Sequence, residues 1–429
     1  MTGMDETAQA AGEVGARLSA RIEGYRQEMV QFQKALTAVV ALGPENGGDG
    51  EWERAEFVAT TATRFGLPAP ERFDAPDARV SSALRPNLVF RLRGRRSEPA
   101  TWVLAHMDTV PPGERRLWDS DPFVAEVRDG RIVGRGVEDN QQGLTAALFA
   151  LRALVDEGLA PAGDACVMLV ADEETGNRYG LEHVLDAAPD LIGNRDLMIV
   201  PDAGSPDGAS IEIAEKSTLW VEFTVHGRQV HASIPDAGVN AHRAAAHLTV
   251  RLDQRLPAAF PRTDALYDLP RSTFEPTRHD ANVPNVNTVP GEEHLFFDCR
   301  VLPSYSLGEV KAVVEGVARE VEAEFACAID VAYPVTMAAA PPTTADAPVV
   351  RVLSAALHGA RGVDSRLLGI GGGTVAAVLR RRGIPAAVWA TLEEAAHSPN
   401  EYCVIDNLVA DALVLAYVFA AGCEEGVAG

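Results

Sequence analysis

The chain has 429 residues, 47% of them hydrophobic, and a formal net charge of −23. That length exceeds what one core usually serves, so two domains are expected; the acidity argues against nucleic acid or an anionic membrane surface as partner, since both would repel it. No apolar run is long enough to span a bilayer, the small acidic N-terminus lacks the regions of a signal peptide, and Cys166, Cys299, Cys327, Cys403 and Cys423 show no paired spacing, which together predict a cytoplasmic enzyme or binding protein with reduced thiols, most of them plain core.

Apolar positions Leu18, Ile22, Tyr25, Met29, Phe32, Leu36 and Val39 recur at alternating steps of four and three, predicting one amphipathic helix. The glycine-rich stretch 43–50 breaks it, and a second helix is expected over 51–65. Residues 88–92 and 101–105 read as strands around a turn at Gly94, residues 143–157 as a helix, and 166–171 and 197–200 as buried strands. Strands alternating with helices imply a mostly parallel sheet flanked by helices.

Near Lys216 the texture changes. Leu219, Val221, Phe223 and Val225 alternate with Trp220, Glu222, Thr224 and His226, a strand with one solvated face. A helix over 240–256, a strand pair around Pro290-Gly291, a helix over 307–325 and a strand over 327–332 complete a βαββαβ order. That is an α+β two-layer domain, residues 216–334, inserted into an α/β domain made of 1–215 and 335–429. In the last segment a strand over 367–370, the loop Gly371-Gly372-Gly373, a helix to Arg382, a strand over 386–389 and a closing helix over 406–420 restore the α/β pattern. Arg380-Arg381-Arg382, at a helix end, reads as a solvated basic face.

The apolar run ending in His106-Met107-Asp108 places His106 and Asp108 on the same side of a strand edge, where the carboxylate can take the imidazole's second ring N–H. Asp139 lies on a loop between a strand and a helix, Glu173 and Glu174 directly follow the strand 167–171, Asp202 follows 197–201, and His397 comes after the strand ending at Trp389. Each would fall at the carboxyl edge of one sheet, where ligands collect in α/β folds. Carboxylates converging there need a cation to offset their repulsion.

In this order the histidine-x-aspartate, glycine-arginine-glycine-x-x-aspartate and glutamate-glutamate motifs resemble those of the dinuclear-zinc metallopeptidase and deacylase family of aminoacylases, acetylornithine deacetylase, succinyl-diaminopimelate desuccinylase and related carboxypeptidases and dipeptidases. The resemblance runs from Gly43 to the final helix. It implies that His106 and Asp202 hold one zinc, Glu174 and His397 the other, and that Asp139 bridges both; cobalt or manganese are possible substitutes. It makes Glu173 the general base and Asp108 the partner of His106. In the inserted lid and dimerisation domain, it implies that His231 and Asn287 act on the oxyanion in a homodimer. It also implies that Arg300 receives a substrate carboxylate; separately, the run Gly371-Gly372-Gly373-Thr374 either lets the backbone amides of Gly372, Gly373 and Thr374 approach that carboxylate or is a simple turn.

The expected activity is hydrolysis of an amide in a small N-acyl amino acid or dipeptide, with no nucleic acid or membrane partner. The alternatives are an N-carbamoyl amino acid hydrolase, a pathway-specific deacylase, or a catalytically silent metal-binding homologue. Three departures bear on the substrate. Asn140-Gln141-Gln142 stands where many relatives carry a lysine, Val375-Ala376 replaces a serine-aspartate pair, and Asp202 replaces the glutamate of many deacylases, which favours dipeptides.

Overall fold

The computed structural model describes residues 2–96 and 98–421; Cys423 lies outside them. Ten helices are described: α1 (Thr2–Gly24), α2 (Arg26–Ala38), α3 (Trp52–Arg64), α4 (Gln141–Asp156), α5 (Leu181–Ala187), α6 (Ala241–Ala259), α7 (Leu307–Phe325), α8 (Pro348–Arg361), α9 (Ala376–Arg381) and α10 (Ile405–Ala420). The strands before residue 210 are β1 (Glu71–Arg72), β2 (Ala75–Pro76), β3 (Leu84–Arg85), β4 (Leu88–Leu92), β5 (Thr101–His106), β6 (Glu126–Arg128), β7 (Arg131–Val133), β8 (Ala165–Val170) and β9 (Leu197–Gly204). Those that follow are β10 (Ser210–Glu215), β11 (Ser217–His226), β12 (Val230–His231), β13 (Thr273–His279), β14 (Thr288–Val289), β15 (Glu292–Val301), β16 (Ala328–Met337), β17 (Arg366–Ile370), β18 (Ala386–Ala390) and β19 (Tyr402–Val404).

The chain divides into two compact units, one of residues 1–213, 342–367 and 374–429, the other of 214–341 and 368–373. In the first, an eight-stranded sheet runs β1-β4-β8-β5-β9-β18-β10-β17. Its centre, β8-β5-β9-β18, is parallel, as the strand-helix alternation predicts, while β4 and β10 join it antiparallel. Strands β4 and β5 are not neighbours, as a turn at Gly94 would make them; β8 lies between and pairs with both. The reason is Asp164, just ahead of β8: its carboxylate accepts from Gly94 N at 2.9 Å and from Arg93 at 2.8 Å, and its carbonyl accepts from Thr101 N.

Helix α4 is buried almost all round, because β5, β8 and β9 lie under it and α1, α2 and α10 cover it. The expected single N-terminal helix is two, α1 and α2, separated at Tyr25, whose ring packs edge-on against Phe149 at 5.5 Å and whose hydroxyl donates to Asp156. Cys166, Cys299 and Cys403 are buried free thiols, Cys327 a partly buried one. Arg380 corrects the solvated basic face: it is 4% exposed and forks onto Glu212 at 2.8 and 3.1 Å, with the Ala386 carbonyl as a further acceptor. Breaking such a buried pair leaves one uncompensated charge in the core.

The second unit is an antiparallel sheet β13-β15-β11-β16 whose buried rows pack against α6 and α7. Buried Leu219, Val221, Phe223 and Val225 alternate with outward residues such as Trp220, 46% exposed. Helix α7 begins with a capping box, Ser306 to Glu309 N and Glu309 back to Ser306 N. The strand pair around Pro290-Gly291 is not a hairpin: β14 pairs with β12, whereas β15 pairs with β11 and β13. The glycine run joins this unit through hydrogen bonds, Lys216 N to the Ile370 carbonyl and Arg300 Nη1 to the Gly371 carbonyl.

Candidate metal centre

Parallel β5 and β8 are in register at His106 and Val170, so both strands end at the same edge. His106 closes β5. After β8 the chain turns through Asp172, which has a left-handed φ of 61°, a conformation that aspartate tolerates better than most residues. The turn is held by Asp172 itself, whose carboxylate accepts from the Thr175 hydroxyl and from Tyr179 N at 2.9 Å. It delivers Glu173 and Glu174. Asp202 sits in the last half of β9, and His397, with φ 60°, in the loop after β18. Asp139 arrives differently from the expectation: it follows β7, a strand of the small sheet β19-β7-β6, and is carried two residues before the first turn of α4.

The six side chains converge. His106 Nε2 lies 2.8 Å from Asp139 Oδ1 and 3.5 Å from Asp202 Oδ1, while His397 Nε2 lies 3.0 Å from Asp139 Oδ2 and 3.2 Å from Glu174 Oε1. The two Asp139 oxygens are thus divided between the two imidazoles. Donor atoms of His106, Glu173 and Asp202 lie within 4.8 Å of one another, as do those of His106, Asp139 and Glu174. Among the described residues the Glu173 carboxylate accepts no hydrogen bond.

Electrostatics follow from this crowding. Burial, then the neighbouring charge of Asp202, pushes the Glu173 carboxyl well above its ordinary range, and burial raises Glu174 too. Burial would also raise Asp139, but hydrogen bonds from His106 and His397 hold it below the ordinary value. Burial disfavours a charge on His106, yet hydrogen bonds to Asp108, Asp139 and Asp202 carry it well above 6.5. Hydrogen bonds to Asp139 and Glu174 push His397 up to about 10. A cluster with more buried carboxylates than imidazoles is a place for a cation.

Asp108 does more than face His106. Its carbonyl and one carboxylate oxygen stand 3.1 and 3.4 Å from His106 Nδ1. The carboxylate oxygens also accept from Glu173 N at 3.1 Å and Glu174 N at 3.0 Å, so one buried side chain fixes both the imidazole and the two-glutamate loop. Asp108→Asn is expected to lower kcat/KM about 10- to 100-fold and to cost roughly 1–3 kcal/mol, because one amide N–H loses its acceptor. Steady-state kinetics and urea unfolding of the two proteins measure both effects.

Three further residues hold the centre and escaped the sequence reading. Buried Glu401 accepts from Gly136 N at 2.9 Å, Glu138 N at 2.9 Å and Asp139 N at 3.1 Å, and pairs with Arg135 at 2.6 Å. Glu138 returns the bond to the His397 loop, accepting from Glu393 N and Ala395 N at 2.6 Å each. Asn140 donates to Asp202 Oδ1 at 2.8 Å. Glu401 lies four residues after His397, and that proximity was the available signal. Gln141 and Gln142, at the place of the family lysine, are absorbed into packing: Gln141 accepts from the Thr37 hydroxyl and Gln142 donates to Asp411. Val375 and Ala376 are core.

Residues 102–421 match the model of peptidase family M20/M25/M40. The chain belongs to that family. An uncharacterized metallohydrolase of Methanococcus maripaludis is 34% identical over 399 residues, 89% of this chain and 96% of the relative. Succinyl-diaminopimelate desuccinylase of Wolbachia pipientis is 22% identical over 385 residues, 88% of this chain and 89% of that one. Human carnosine dipeptidase 1 shares the fold, with a TM-score of 0.75 at 15% identity over 95% of this chain and 98% of that chain. This M20 protein is therefore a metal-dependent hydrolase.

In the second unit of the M20 chain, exposed His231 pairs across the β12-β14 ladder with Thr288, which brings it beside Asn287. Ser233 N donates to His231 Nδ1 at 3.1 Å, an arrangement that leaves the ring proton on Nε2. Asn285 donates to the Asn287 side-chain carbonyl at 2.7 Å. Arg300 is held by Asp298 at 2.7 and 3.0 Å. Gly372 and Gly373 are open to close approach, since a Cβ on either would meet no atom nearer than 3.7 Å. In the first unit, Thr374 accepts from Ala376 N at 3.1 Å.

Proposed function

We propose that this hydrolase cleaves an amide bond in a small N-acyl amino acid or dipeptide, using two divalent cations per chain, zinc foremost. His106 and Asp202 would hold one ion, Glu174 and His397 the other, and Asp139 both. Mixed imidazole and carboxylate donors suit zinc, with cobalt or manganese as substitutes. The observation that carries the reading is Asp139, with one oxygen turned to each imidazole as a bridging carboxylate requires.

Bound there, the two ions would polarise the scissile carbonyl and lower the pKa of the attacking water towards neutrality. Glu173, its carboxylate unengaged, takes the proton from that water and passes it to the leaving nitrogen. Two adjacent glutamates divide the work, because a carboxylate spent on ligation is a poor base. Asp108 keeps the pair and His106 in place through the bonds described. We assign His231 and Asn287 to the developing oxyanion. Arg300, with Gly372, Gly373 and Thr374, is assigned to a substrate carboxylate: Asp298, Thr218 and the Gly371 carbonyl engage the guanidinium and leave it an Nη2 N–H to offer. We further propose a cytoplasmic homodimer, on the family resemblance. The aspartate at position 202, where many deacylases have glutamate, favours dipeptides over N-acyl amino acids.

The test is metal content per chain by elemental analysis, with activity on dipeptides and on N-acetyl, N-succinyl and N-carbamoyl amino acids before and after chelation. About two ions at this centre and chelator-sensitive release of free amine are expected, restored by zinc. No hydrolysis across the panel by fully reconstituted protein would leave a silent metal-binding homologue instead.

A further inference from the structure

The second unit carries its own cluster of metal-ligating groups, built from three elements. His242 is the second residue of α6, His279 the last of β13 and Glu293 the second of β15. His242 Nδ1 is 3.0 Å from Glu293 Oε2, His279 Nε2 lies against Glu293 Oε1, and the three donor atoms are all within 4.8 Å of one another. The two rings stand nearly perpendicular with centroids 5.8 Å apart.

Glu293 is out of place unless something answers its charge. It continues the inward row Leu295, Phe297, Cys299 and Val301 of β15, all buried, where alternation calls for an apolar side chain. Its own side chain is 0% exposed, while those of His242 and His279 are 60% and 49% exposed. Oε2 is satisfied by His242 and by the Asn282 amide. Oε1 is buried and faces His279 Nε2, without a well-aligned hydrogen bond from any described residue. A buried carboxylate oxygen held only by a poorly aligned imidazole is better met by a cation shared with that ring.

We propose that His242, His279 and Glu293 form a further divalent transition-metal site, best fitted by zinc, that ties the start of α6 to β13 and β15. Two imidazole nitrogens and one carboxylate oxygen are a common zinc set with the fourth position left to water, and the exposed flank of both rings leaves room for it. A tetrahedral zinc with bonds of about 2.0–2.1 Å holds its donors roughly 3.3 Å apart, close to the separation already present between His242 and Glu293. Nickel and copper would compete by the usual affinity order. The role is a staple, since the ligands come from three segments that the ion would cross-link.

Full-length protein stripped with chelator, reloaded with zinc and desalted gives the test: zinc per chain in wild type, His242→Ala and His279→Ala. Each variant should retain about one zinc fewer than wild type, and the rise in Tm on adding zinc should shrink in both. The readout is a difference, so it does not depend on how many ions the first centre holds. Both histidines are half-exposed, so their loss leaves the core intact. Equal zinc in all three proteins would overturn the proposal and leave two histidine-glutamate ion pairs. To separate the Tm effect from the first centre, the zinc titration is repeated in an Asp139→Ala background, where the zinc-dependent rise should persist and should vanish on adding His279→Ala. A rise unaffected by His279→Ala there would equally overturn it.

Discussion

Glu173→Ala is expected to lower kcat by about 10⁴-fold, the upper end of what a positioned general base supplies, while the metal content per chain stays at the wild-type value. The two halves of this expectation have separate structural grounds. The Glu173 carboxylate is half-buried beside Asp202 and His106 but makes no hydrogen bond to either imidazole, so its removal takes away no hydrogen bond that holds His106 or His397. The backbone of residue 173 stays anchored by Asp108 through its amide, which alanine keeps. Elemental analysis and single-turnover rates on the best substrate of the panel measure the two together. An active Glu173→Ala protein would remove Glu173 from the role of base; an inactive one that has also lost metal would make it a ligand.

Asp139→Ala should do the opposite, emptying the centre. One oxygen faces His106 and the other His397, so a single truncation takes a donor from both positions. With His279→Ala also present to remove the site proposed in the second unit, metal content is expected to fall from about two ions to less than one, with activity below detection, whereas Asp202→Ala should lose about one ion because, of the two imidazoles, it faces only His106. Far-UV circular dichroism guards against misfolding, and the fold should survive: the amide of residue 139 remains bound to Glu401, and α4 is buried by its neighbours regardless. Retention of both ions by Asp139→Ala would end the bridging assignment.

Sequence reading picked out the side chains that converge wherever one follows an apolar strand. His106 closes β5, Glu173 and Glu174 come directly after β8, and Asp202 lies in β9, all at the carboxyl edge where α/β folds gather their ligands. Asp139 was found by its motif but its delivery was misread, because the short strand before it belongs to a separate three-stranded sheet. Arg380 reads as surface, since three consecutive arginines at a helix end are usually solvated. Its burial depends on Glu212, 168 residues away. Glu401 and Glu138 are signalled only by nearness to His397 and Asp139; their roles rest on bonds to loops distant in the chain, to backbone amides and, for Glu401, to Arg135 as well.

Apart from β13 and the break between α1 and α2, which it did not mark, what the sequence by itself determined was the kind of most major elements, the presence of an α+β insert and the chemistry-bearing side chains that converge. Those follow from periodicities of two and 3.6 residues and from motifs a few residues long. What only the tertiary structure decided was adjacency. It placed β8 between β4 and β5, divided Asp139 between two imidazoles, set Glu174 against His397 across 223 residues of chain, and brought His242, His279 and Glu293 together in the other unit. Pairings between distant segments depend on how whole layers pack, and no local pattern encodes that packing.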